Sequence, residues 1–110
     1  MSNIDSYEKR IKDFSWSISE IELEYKHGDI INIGWYCSDR ICQKGKAEKI
    51  ALYYEGFGGV EKQYTFDEIR LAGNTIGTFL RTIGIRNEDR VCLFMDRRPE
   101  LYLSFLGVLK

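Results

Sequence analysis

The sequence predicts an α/β fold, and three observations carry that expectation. Apolar residues recur at helical spacing up to about residue 45, then alternate with period two from Lys49 to Thr65. From Thr65 a well-marked helix, a short apolar run and a second helix follow in that order, the pattern of a right-handed crossover unit in a layered structure. The final helix is apolar nearly all round, which suits a place inside a larger body.

The first 45 residues are expected to be helical. Ser17 and Glu20 have the spacing of a capping box, Ile18, Ile21 and Tyr25 follow on one face, and Gly28 closes the segment. A second helix is expected from Asp29 or Asn32, with Ile33, Cys37 and Ile41 stacked at i, i+4 and i+8 and Gly45 as its stop. Trp35 and Tyr36 widen its apolar face and suggest burial on more than one side.

Residues 50 to 65 form a predicted β-hairpin. IALYYEG is the first strand, GFGG the turn, and VEKQYTF the return, with Val60, Lys62 and Tyr64 alternating. Thr65 then opens the best-marked helix: Thr65 and Glu68 form a capping box, and Tyr64 and Ile69 a hydrophobic staple. Ile69, Gly73, Ile76, Leu80 and Ile83 share a face, and Gly84 ends it. Gly73 and Gly77 cost this helix about 1 kcal/mol each against Ala, which points to a close-approaching backbone.

RVCLFM, Arg90 to Met95, has the character of a buried parallel strand. Asp96, Arg97 and Arg98 make the turn after it, and Pro99 stands at a helix's first position. PELYLSFLGVLK leaves no wet face and carries no stop signal or partner for its last carbonyls. The expectation is therefore that the chain is the N-terminal fragment of something longer.

Composition narrows the function classes. A length of 110 allows one domain at most, and 44% hydrophobic with 30% charged residues excludes a disordered chain. Sixteen Lys and Arg against 17 Asp and Glu give a net charge of −1, with no general pull toward nucleic acid or anionic membranes. No run approaches the roughly 20 apolar residues of a membrane span, and MSNIDSYEKR has no secretory core, so a soluble cytoplasmic protein is expected.

Candidate chemistry is sparse. Cys37, Cys42 and Cys92 cannot all pair, and with the single His27 they match no zinc spacing; buried structural thiols are expected. His27 precedes a glycine at an expected helix end and fits a surface or capping role. Gly56, Gly58 and Gly59 sit in a hairpin without a following helix, which makes them a turn and no phosphate cradle. Asp39 and Arg40 are expected to be an ion pair or cap. Arg97 and Arg98 lie where a strand's carboxyl end could meet a phosphate, but a solvated turn is the preferred reading. No catalytic, cofactor-binding or metal-binding residue is assigned.

Several phrases, taken in order and spacing, nevertheless resemble a known family. FSW at Phe14 to Trp16, NIGWYCSDR at Asn32 to Arg40, KIALYYEG, and the whole of QYTFDEIRLAGNTIGTFLRTIGIRNEDRVCLFMDRRPELYLSFLGVLK resemble the start of AMP-forming acetyl-CoA synthetases, within the adenylate-forming enzymes. The chain departs from that pattern at Ile41, Glu88 and Asp96, none of which carries the family's chemistry. The resemblance implies residues 1–45 as a helical N-terminal extension and 46–110 as the truncated start of the AMP-binding α/β domain. It further implies a two-step ligase. A carboxylate such as acetate attacks the α-phosphate of Mg·ATP to give an acyl-adenylate, and the thiol of coenzyme A then displaces AMP. The family's phosphate loop and other reactive groups fall beyond residue 110, so the fragment itself is expected to be inactive, to bind no cofactor and to self-associate. The alternative is a non-enzymatic α/β docking or oligomerisation module.

Overall fold

The computed structural model describes residues 6–26 and 28–110; the expected helix over the first five residues falls outside them. Two compact units divide the chain, one up to Ile31 and the other from Asn32 to Lys110.

The first unit holds two short helices. Helix α1 spans Tyr7–Asp13, with the Ser6 hydroxyl accepting from the Lys9 amide at 3.4 Å. Helix α2 spans Trp16–Leu23. The expected Ser17–Glu20 capping box is not formed, because Ser15 is the N-cap and Ser17 lies inside the first turn. The two serine hydroxyls instead share a 2.8 Å hydrogen bond, and the rings of Phe14 and Trp16 meet edge to face at 5.3 Å. Nor does Gly28 close this helix. Glu24 takes the left-handed position at φ 57, and the Tyr25 amide reaches back to the Glu20 carbonyl at 2.9 Å, which satisfies the helix end four residues earlier.

The second unit begins where Asn32 caps α3, Ile33–Cys37, its side-chain oxygen accepting from the Trp35 amide at 2.9 Å. The continuous helix expected through Ile41 is broken at Ser38 (φ −131, ψ −70). The fully buried Ser38 hydroxyl donates to the Gly34 carbonyl at 2.6 Å, and this local bond competes with the helical ladder. Three residues of helix, α4 (Asp39–Ile41), follow, then a wide turn over Cys42–Lys46 that ends in Gly45 at φ 75. Gly45 does act as the stop.

Strands β1 (Ile50–Glu55) and β2 (Glu61–Thr65) pair antiparallel, with Tyr53 opposite Gln63 and a bulge between Ile50 and Leu52. The Gly56 amide donates to the Val60 carbonyl at 2.7 Å, and Gly58 and Gly59 both take φ 79. Helix α5, Phe66–Thr82, has the predicted reciprocal cap. The Glu68 amide donates to Thr65 Oγ1 at 3.2 Å, and the Thr65 amide donates to Glu68 Oε2 at 2.7 Å. Ile69, the staple residue, is buried at 7% exposure, and Gly84 takes φ 96 just past the helix.

Helix α6, Pro99–Leu109, packs along α5 with Pro99 in its first turn. The contact is made by glycines. A Cβ on Gly107 would lie 2.7 Å from Ile76 Cβ and 2.9 Å from the Gly73 carbonyl, and one on Gly77 would lie 3.2 Å from the Gly107 carbonyl. Helix α3 meets α6 in the same way, a Gly34 Cβ falling 2.7 Å from the Leu106 carbonyl. The expected backbone approach at the Gly73–Gly77 face is therefore present, with Gly107 as its other half.

The strand expected at Arg90 to Met95 is not formed. Residues 90–97 belong to no helix or strand and make no backbone–backbone hydrogen bond among the described residues. A parallel strand exists only against a neighbour, and none of the described residues provides one. Among the described residues no crossover geometry is present. The mixed α/β character rests on the helices and the antiparallel hairpin.

Candidate functional site

Two places among the described residues of the second unit bring polar groups together from separate elements. The first is an open groove of about 880 Å³ between the hairpin loop and the start of α6, where Lys62, Arg97 and Arg98 face Glu55, Asp96 and Glu100. Arg98 Nε lies 3.4 Å from Glu100 Oε2, with both side chains at least half exposed. Three cations beside three carboxylates give no net field for an anion. The Gly56 amide does not supply one either, since it is already bonded to the Val60 carbonyl. Arg97 and Arg98 are exposed, as a solvated turn requires.

The second place is built around Lys110. Its ammonium lies 2.5 Å from Asp39 Oδ2 and 2.6 Å from Asn74 Oδ1, and it donates to the Arg70 carbonyl at 3.4 Å. Its own carbonyl accepts from Asn32 Nδ2 at 3.2 Å and from Arg81 at 3.4 Å. The end of α6 is therefore not bare, contrary to the sequence expectation. Burial alone would raise the Asp39 carboxyl, but hydrogen bonds from Lys110 and Ser38 and the lysine's charge outweigh it and hold the group below its ordinary range. Asp39 thus takes Lys110 as its ion partner, where the sequence suggested Arg40. The Arg40 guanidinium stands 5.5 Å over the Tyr36 ring in a buried setting. The cluster ties α4, α5 and α6 together, and its lysine is occupied by that work.

The cysteines do not behave as buried thiols: Cys37 and Cys92 are exposed, Cys42 is half-buried, and all three are free. Cys92 lies in the irregular segment where a buried strand was expected, and no described element covers it. Among the described residues no three His, Cys, Asp or Glu side chains come together to hold a metal ion. His27 lies outside the described residues. The Lys110 cluster was not legible in the sequence, since its members are scattered from Asn32 to the chain's last residue and no local spacing relates them.

Comparison with known proteins supplies the class that this geometry leaves open. The family of AMP-binding enzymes matches residues 39–110, and the chain belongs to that family. Over 109 residues, 98% of its length, the chain is 35% identical to the acetyl-coenzyme A synthetase of Bacillus subtilis. It is 24% identical over 107 residues to the protein of that name from Magnetococcus marinus. A shorter match, 40% over 50 residues and 46% of the chain, is to the N-(5-amino-5-carboxypentanoyl)-L-cysteinyl-D-valine synthase of Penicillium rubens. The chain spans 19%, 16% and 1% of these three relatives respectively.

Proposed function

We propose that the chain forms the N-terminal part of an AMP-forming acetate–CoA ligase, which activates acetate or another short acid with ATP and passes the acyl group to coenzyme A. One observation carries this reading. The family match begins at residue 39, yet the similarity to proteins named acetyl-coenzyme A synthetase runs over nearly the whole chain, including residues before that point. On this reading residues 1–45 are an extension and residues 46–110 begin the AMP-binding domain, while the family match itself starts seven residues earlier, at residue 39.

Such a reaction must hold a carboxylate against the α-phosphate of a nucleotide and neutralise the charge that develops there. The residues of this chain do not fit that task. The groove beside Arg97 and Arg98 balances its own charges, the hairpin glycines close a turn, and Lys110 is bound to Asp39. ATP, Mg²⁺ and coenzyme A would be held by other parts of the ligase, in the cytoplasm, and these 110 residues are inert by themselves. What they contribute is a packed helical frame.

Acid-dependent pyrophosphate release and thioester formation by the full-length protein test the proposal. Turnover with acetate or a near homologue is expected, and absence of adenylate from every acid tried between acetate and a long-chain fatty acid would overturn it. Titration of the 110-residue chain with Mg·ATP and with coenzyme A should show no binding. A dissociation constant of about 1 μM, or about −8 kcal/mol, would refute its inertness.

The chain by itself also self-associates on this reading. Phe79, Ile83, Phe94, Tyr102 and Phe105 are each between 46% and 99% exposed, and apolar area of that kind drives association.

A further inference from the structure

We draw no further inference here: the strongest candidate, the polar cavity of about 430 Å³ between α3, α5 and the end of α6 where Asp39, Asn74, Arg81 and Lys110 meet, belongs to the cluster already described, and nothing in the structure shows what covers it.

Discussion

Asp39 shows how one residue's chemistry depends on a partner 71 positions away. The carboxylate and the Lys110 ammonium are only 18% and 10% exposed, so each needs the other to offset lost hydration. Asp39→Asn should lower stability by about 1–3 kcal/mol, read as a shift in the urea midpoint. The pH dependence has a definite sign. Because the folded carboxyl is held below its ordinary value of 3.8, the native chain's advantage over the variant is fully present above that value. It is lost as pH falls through the lower, folded value. Midpoints for the two proteins measured from about pH 7 down to about pH 2 should therefore converge only at the acid end. Convergence near neutrality would mean that Asp39 does not hold the pair.

At the scale of the element, the α5–α6 contact turns on which glycine faces backbone. A Cβ at Gly107 would strike Ile76 Cβ at 2.7 Å and the Gly73 carbonyl at 2.9 Å, neither of which is a flexible chain end. A Cβ at Gly73 would find its nearest neighbours at 3.7 Å, an ordinary contact. Gly107→Ala should thus destabilise by about 1–3 kcal/mol through overpacking. Gly73→Ala should instead stabilise by up to about 1 kcal/mol through helix propensity. Thermal unfolding of both variants checks the pair of signs, and equal destabilisation would show that the helices do not cross where the glycines place them. The same scale explains what local pattern could and could not announce. The Thr65–Glu68 cap was legible because both of its bonds close within three residues. Ser17–Glu20 has an equally good spacing, but Ser15 won the N-cap position, and spacing alone does not rank two serines.

The whole molecule divides at Ile31 and Asn32, and the residues on either side of that boundary are exposed enough to test it. Ile30 is fully exposed and Ile31 is 41% exposed, and α2 has already ended at Leu23. Brief trypsin treatment should cut after Lys26 and at the exposed Arg90 and Arg97, and spare Arg70 and Arg81 inside α5, as mass spectrometry would report. Early cleavage within α5, at Arg70 or Arg81, would show that residues 32–110 are not a stable unit.

The sequence by itself determined every element whose reasons are local: the hairpin with its glycine turn, the capped α5, and Pro99 at the head of α6. It also carried membership of the AMP-binding family, because the order and spacing of phrases survive without coordinates. Tertiary structure alone decided the rest. It showed that Gly107 completes the seam begun by Gly73 and Gly77, that Lys110 serves Asp39, and that Arg90 to Met95, with the composition of a buried strand, has no pairing neighbour among the described residues. The physical reason is the same in each case. A turn or a cap is satisfied by atoms a few residues apart, whereas a close backbone approach, a shielded ion pair or a β-ladder exists only when a distant segment arrives to complete it.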